Sequence, residues 1–369
     1  VKNGAKIVSG NTLAQVISLV AFAAAARALE VAELGAVAVV LAYTRVLDGL
    51  LNFQSAISLT KFGTDLLHAK EYDRFRALAK AALVLDLLTA AATVVLAVTG
   101  LALFARLLGV TDEVAQYGFL YPAVILTNVL GMPKAVLRMF DRFGTVVMRD
   151  IVMQTGRLLL TLLFWHLDVP AAYFLLAWFI PEALANGWLL LMGFRALHAR
   201  GFRNVLGAHA VSAIRRTPGF RRTMWHTNIT MGIRVASEEG DVVLVGGLLG
   251  SASAGIYRVG KSLAVLMLQV GRPVQQAVFP DIAKLWAESR VDRFWRFSMQ
   301  VNLFSGLLGV IGLLLVWPFA DWFITLTVGD KYLEARALFL TLLVAHIIYL
   351  CGITFLPMLT SLAATGRQL

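Results

Sequence analysis

Charge is what this chain has least of: Asp, Glu, Lys and Arg make up 15% of its 369 residues, against about 25% in soluble domains. Acid is scarcer than base, with 22 Asp and Glu against 33 Lys and Arg. With 59% of the residues hydrophobic, a surface so poor in charge cannot all face water, which excludes an ordinary soluble globule. A single cysteine, Cys351, excludes an internal disulfide, and its apolar run suggests a small buried core residue. There is no HExxH, no Walker A loop and no GxSxG, so the common metalloprotease, nucleotide-phosphate and serine-hydrolase chemistries have no anchor. The six histidines are scattered, and His346, inside an apolar run, reads as a satisfied core residue rather than a ligand. No cleavable signal pattern precedes the first apolar stretch, which reads as a retained helix.

What is present is apolar length. Candidate spans lie at about 7–27, 34–60, 80–105, 115–138, 145–166, 170–193, 223–246, 254–280, 297–318 and 337–360, and about 20 helical residues cross a hydrocarbon core. Helices are favoured because each satisfies its own backbone amides in lipid, whereas a barrel would show alternating strands of about ten residues. The sequence therefore predicts an all-α, polytopic membrane protein.

Orientation follows from Lys and Arg. Twenty-three lie at one set of helix ends and four, Arg27, Arg106, Lys331 and Arg336, at the other, which puts both termini on the cytoplasmic side. The net charge of +11 is then explained by topology and anionic membrane lipid, without nucleic acid. The most basic segment, 195–222, is a cytoplasmic linker between an expected six-helix bundle at 1–194 and an incomplete four-helix bundle at 223–369, and is expected either to lie on the headgroups as a short interfacial helix or to be a solvated connection.

The two bundles read as copies of one unit. Gly35 matches Gly255 and Gly109 matches Gly329, each at an offset of 220, while "DRF" recurs at 73–75 and 292–294, an offset of 219. In each tripeptide Asp suits a helix start, Arg a headgroup and Phe the interface. A third copy stands at 141–143. Helices five and six should recur at about 365–413, so two further helices are expected beyond Leu369.

Ionisable residues within spans are functional candidates or helix-pairing partners. Arg45 and Asp48, one turn apart, can neutralise each other. Asn11, Gln15 and Ser18 form a polar stripe in the first helix; Arg157 and Glu182 lie in the fifth and sixth. In "GIRVASEEGDVVLVGGLLG" (232–250), Arg234, Glu238 and Asp241 share a face while Glu239 points elsewhere. Arg258, Lys261 and Arg272 share a face of the eighth helix. Such stripes should line a water-filled cavity. The basic set Arg45, Arg157, Arg234, Arg258, Lys261 and Arg272 suits an anionic, phosphate-bearing head group, and the polar set Asn11, Gln15, Asp48, Glu182, Glu238 and Asp241 suits a coupling Na+ or H+, with Asp241 the candidate cation ligand. The expected outer loops are short, which disfavours a membrane glycosyltransferase or polymerase.

"DVVLVGGLLGSASAGIYRVGKSL", followed by "AVFPDIAKL", resembles the polysaccharide-biosynthesis flippases of the multidrug/oligosaccharidyl-lipid/polysaccharide exporter superfamily. The fit lies in Asp241, Leu249, Gly250, Gly255, Ile256, Tyr257, Phe279 and Pro280, and the opening "SGNTLAQVISLVAFAAAARALEVAELGAVAVVLA" is similar to that family's first helix pair. The resemblance implies two six-helix bundles in a V, helices one, two, seven and eight around a central cavity, and alternating access. It further implies an undecaprenyl-pyrophosphate-linked oligosaccharide substrate for O-antigen or exopolysaccharide synthesis, an inner-membrane location in a bacterium, cation coupling, and company with other polysaccharide-assembly membrane proteins. Lipid II flippases are similar around helix eight but typically carry a proline-containing segment where this chain has Leu268 to Gly271. Multidrug exporters of the same superfamily share the bundle fold but handle cationic drugs, which suits a cavity with six basic residues poorly.

Overall fold

A computed structural model describes residues 2–359 other than 203, 209–212, 289 and 356, and their side chains other than those of 2–9, 11, 267–277 and 279. The described residues are helical, without strands. The helices are α1 (Lys2–Ala28), α2 (Val31–Leu51), α3 (Ala56–His68), α4 (Tyr72–Phe104), α5 (Asp112–Gly118), α6 (Gly131–Met139), α7 (Phe143–His166), α8 (Phe174–Ala199), α9 (Phe220–Ala287), α10 (Val291–Val316), α11 (Ala320–Thr327) and α12 (Ala335–Leu350). Among the described residues, six segments are long and apolar enough to cross a membrane: Val31–His68, Tyr72–Phe104, Asp112–Met139, Ala171–Ala199, Phe220–Leu266 and Val291–Thr327. Thr12–Ala28 and Ala335–Leu350 are shorter apolar helices. The helix α7 is long enough but carries Arg149, Asp150 and Arg157. Together these make the chain a polytopic membrane protein.

Two expected spans are broken. The stretch expected at 34–60 stops at Leu51 and restarts at Ala56, and the one expected at 115–138 divides into α5, a 3₁₀ turn at Tyr121–Thr127, and α6. Pro122 and Pro133 each lack a backbone donor and sit at a restart, where proline is tolerated. Irregular backbone at membrane depth is tolerated where protein surrounds it, and Tyr121, Val124, Ile125 and Leu130 are indeed buried. Conversely, the loop expected at 247–253 shrinks to one residue: α9 bends at Gly250, whose φ of 84° costs glycine little.

The chain forms two compact units, Val1–Gly255 and Ile256–Leu369. The division falls within α9 rather than in the basic segment, because the first limb of α9 packs along α2. Gly49 and Gly232 face each other there: a Cβ on Gly232 would stand 2.9 Å from the Gly49 carbonyl oxygen. At the other end Gly35 lies against the Ser251 carbonyl and 2.7 Å from Gly255 N for an added Cβ, so these two repeat-matched glycines touch. In the first unit α1, α7 and α8 pack in succession and α2 packs on α4. Its core gathers Leu59, Phe75, Leu78, Met132, Leu189 and Phe220. In the second unit α10 packs on α12, with Gly309 allowing Ile347 close.

Three further expectations need correction. Phe75 and Phe294 of the repeated tripeptides are both fully buried; they anchor the two cores rather than an interface, because each points from the first turn of its helix into packed protein while the preceding Asp and Arg stay exposed. The segment 195–222 is packed onto protein instead of forming an interfacial helix: Phe202 contacts Tyr72, Phe75 and Phe140, and Lys80 Nζ donates to the Ala208 carbonyl at 2.8 Å. Val205 and Phe202 join the first unit's core beside Phe75, Leu78 and Phe140, so protein rather than headgroups covers them. Cys351 is exposed, one residue past α12. His346 has its Nδ1 at 2.5 Å from the Leu342 carbonyl, in keeping with a satisfied residue.

Candidate functional site

The close α2–α9 approach sets the site. Arg45, half-buried on α2, reaches across to Glu239 on α9, with Nη1 2.8 Å from Oε1. The carboxylate is 16% exposed and the guanidinium 35%, so one edge of Arg45 is covered by its partner and another is open. The expected Arg45–Asp48 pairing within α2 does not form. A cross-helix partner at hydrogen-bond distance outcompetes a same-helix one because the guanidinium fork meets it in line. Glu239 is thereby the partner of Arg45, although helical periodicity leaves it without a place.

Asp48 is held by amides. Asn52 Nδ2 donates to its Oδ1 at 2.8 Å and Asn128 Nδ2 to its Oδ2 at 3.2 Å. Asn128 Oδ1 in turn accepts from Asn186 Nδ2 at 2.7 Å, and Asn186 Oδ1 accepts from Arg149 Nε at 3.0 Å. Each donor in this row points toward Asp48. Arg149 also pairs with Asp150 at 2.6 Å. The row exists because the break after Tyr121–Thr127 turns Asn128 inward between α2 and α8.

A second ion pair lies beside the first. Arg157 on α7, 4% exposed, has Nη2 3.5 Å from Glu182 Oε2, Nη1 3.1 Å from Gln154, and its guanidinium 5.4 Å from the Trp178 ring centroid. Glu182 also acts electrostatically on Arg45, Asp48 and Tyr121, so one carboxylate links both pairs. Deeper in the unit, Asp86 on α4 accepts from Ser55 N at 3.1 Å and Ser55 Oγ at 2.9 Å, with further bonds from the backbone of Gly131 and Met132. A Cβ on Gly131 would strike Asp86 and Ser55.

The structure thus brings Arg45, Asp48, Arg157, Glu182 and Glu239 together in the first unit. Arg234 and Glu238 stand apart as an i,i+4 pair at 3.9 Å, both more than half exposed. Asp241 is partly buried, and its Oδ1 accepts from Val242 N at 2.8 Å. Arg258 and Lys261 are half-buried in the second unit. Gln15 is half-buried on α1. The side chains of Asn11 and Arg272 lie outside the described residues. Among the described residues no cluster of His, Cys, Asp and Glu suits a metal. Asn128, Arg149, Asp86 and Tyr121 escape sequence reasoning; the signal for Asn128 is its place between Pro122 and the Gly131-Met-Pro133 restart, where a span cannot stay helical. Chemically, the cluster offers guanidinium forks for an anion and carboxylates for a cation, with no activated nucleophile.

The chain is 24% identical over 335 residues to inner membrane protein YghQ of Escherichia coli (strain K12), covering 91% of this chain and 94% of that one. Its fold is similar to that of the Vibrio cholerae MATE transporter VcmN, solved as a mutant form, with a TM-score of 0.51, 13% identity, and 96% of this chain and 84% of that chain covered. A model of the polysaccharide biosynthesis protein family matches residues 1–286. The chain belongs to the polysaccharide biosynthesis protein family.

Proposed function

We propose that this chain is a flippase that carries a lipid-linked oligosaccharide by its pyrophosphate head group across the bacterial inner membrane, by alternating access, with both termini cytoplasmic. The observation that carries the reading is the Arg45–Glu239 pair: a guanidinium at 2.8 Å from one carboxylate yet a third open. A head group that reaches Arg45 replaces Glu239 as its anion, so the pair is the resting form of the site and the displaced Glu239 is the signal that substrate has arrived. Arg157, closed off by Glu182 and Trp178, supports the field at this site. Arg258 and Lys261 are the second unit's own candidate cations for an anionic head group. A coupling cation, Na+ or H+, is taken by carboxylates of the network or by Asp241. Membrane lipids and other membrane proteins of polysaccharide assembly are the partners this reading entails.

The test is binding of undecaprenyl pyrophosphate to the detergent-purified chain. Glu239→Gln removes the competing anion and leaves the fork, so affinity should rise between about 5-fold and 150-fold, the span of a typical coupling of about 1–3 kcal/mol. Arg45→Ala should lower it, and Arg258→Ala with Lys261→Ala should lower polysaccharide export at matched expression. Unchanged or weaker binding in Glu239→Gln would overturn the exchange.

A further inference from the structure

Within the segment that joins α8 to α9, Val205–Gly207 forms a 3₁₀ turn. Asn204 before it takes the left-handed conformation, with φ 56°, and its Oδ1 accepts from Gly207 N at 3.1 Å, a local bond that a short amide side chain can make. The turn packs on α4. It fixes where its two aliphatic residues go: Val205 is 5% exposed and Leu206 59%.

Two cavities adjoin this turn, and Asn204 lines both. One, of about 410 Å³, has a basic wall of Arg74 and Arg76 from the start of α4 and Arg216 from the joining segment, with Asp73 beside them. The other, of about 460 Å³, is lined by Phe194, Leu197 and Leu206, with Arg195 and His198. Both volumes fall in the range of small-ligand sites, about 300–1,000 Å³.

The basic wall is organised by the protein itself. Arg74 Nη2 donates to the Arg216 carbonyl at 2.9 Å and Lys80 Nζ to the Ala208 carbonyl at 2.8 Å, so two backbone oxygens that would oppose an anion are already covered. Arg74 and Arg76 also pair with Glu71 and Asp73 of their own helix, but exposed pairs of this kind hold weakly. Four cations, Arg74, Arg76, Lys80 and Arg216, stand against the two acids, and the balance is positive. A guanidinium fork meets phosphate oxygens two at a time.

Place decides what carries the phosphate. The apolar segment Tyr72–Phe104 starts at the basic wall, and the segment Ala171–Ala199 finishes at the apolar cavity. Both cavities therefore lie where hydrocarbon gives way to water, at helix ends that Lys and Arg mark as cytoplasmic. A free phosphate gains nothing from an exposed Leu206. A phospholipid gains from both cavities, because it carries an anion at one end and hydrocarbon at the other.

We propose that this site binds an anionic phospholipid of the surrounding bilayer, with its phosphate between Arg74 and Arg216 and its hydrocarbon against Leu206. The bound lipid clasps the joining segment to α4, since each supplies one of the two arginines. Such a site is independent of what the chain transports.

The test is native mass spectrometry of the delipidated, detergent-purified chain titrated with phosphatidylglycerol. This lipid should bind more tightly than phosphatidylcholine, and Arg74→Gln and Arg216→Gln should each weaken it about fivefold, the effect of one basic charge near an anionic lipid. Arg216→Gln keeps the backbone carbonyl that Arg74 uses, so its loss reports on the site rather than on folding. Arg142→Gln, at an exposed position outside the site, should leave binding unchanged; a loss there equal to the other two reduces the effect to general surface charge and overturns the site. Leu206→Asp should also weaken phosphatidylglycerol. Full binding by Leu206→Asp, or competition by glycerol 1-phosphate at the lipid's own concentration, would make the occupant a free phosphate and refute the lipid. Displacement of phosphatidylglycerol by undecaprenyl pyrophosphate at equal or lower concentration would make the occupant a pyrophosphate-bearing lipid and refute the phospholipid.

Discussion

The pair between Arg45 and Glu239 makes the sharpest energetic statement. With charge centres about 4 Å apart and an effective dielectric constant of about 20, the attraction is about 4 kcal/mol. Bringing both groups out of water offsets much of that, and removing one member of a buried pair typically costs about 3–5 kcal/mol because the other charge is left behind. Arg45 is 35% exposed and Glu239 16%, so solvent screens part of the loss and each single change, Arg45→Met or Glu239→Gln, should cost about 2–3 kcal/mol. The double variant leaves no stranded charge and should cost well under the sum, with a coupling of about 2 kcal/mol. The measurement is reversible SDS-driven unfolding in bicelles, followed by tryptophan fluorescence, across the four members of a double-mutant cycle. Additivity to within about 0.5 kcal/mol would refute the claim that this pair ties α2 to α9.

Other expectations follow from packing. Gly35→Leu puts a side chain where the Ser251 carbonyl and Gly255 already lie; the folded monodisperse peak in size-exclusion chromatography should be lost, while Gly144→Leu, where nothing lies within 4 Å of an added Cβ, should leave it intact. Phe75→Ala and Phe294→Ala, at 0% exposure, should each cost about 3–5 kcal/mol, measured as above; costs below about 1 kcal/mol would restore the interfacial reading. Asp86→Ala strands several buried donors and should lower the denaturation midpoint more than Asp86→Asn, whose remaining oxygen still accepts; equal losses would refute the bracing role. A cysteine at Glu30 in a Cys351→Ser background should react with an impermeant thiol reagent from the periplasmic side, and reaction from the cytoplasm alone would reverse the topology.

Much of this was legible in the residues, and what was not has a common cause. The all-helical, membrane-spanning class follows from apolar length and scarce charge, since a helix satisfies its own backbone amides in lipid and the alternating strands of a closed barrel are missing. The repeat in Gly35, Gly255 and the DRF tripeptides follows from identity at offsets of 220 and 219. Periodicity also names Arg45, Asp48, Arg157 and Glu182 as residues that need company, because an ionisable group in hydrocarbon must find a partner. It cannot name the company. Periodicity knows only a residue's neighbours on its own helix, so it pairs Arg45 with Asp48 and leaves Glu239 unexplained. Tertiary packing decided otherwise: Gly49 and Gly232 let α2 and α9 come close enough for Arg45 to reach Glu239, and the break before Gly131 turned Asn128 toward Asp48. The DRF phenylalanines show the same limit, since an aromatic at a helix start looks alike whether headgroups or a core will cover it. Sequence determined which side chains could not be left in lipid; the approach of one helix to another, set by glycines and chain breaks, decided what each of them met.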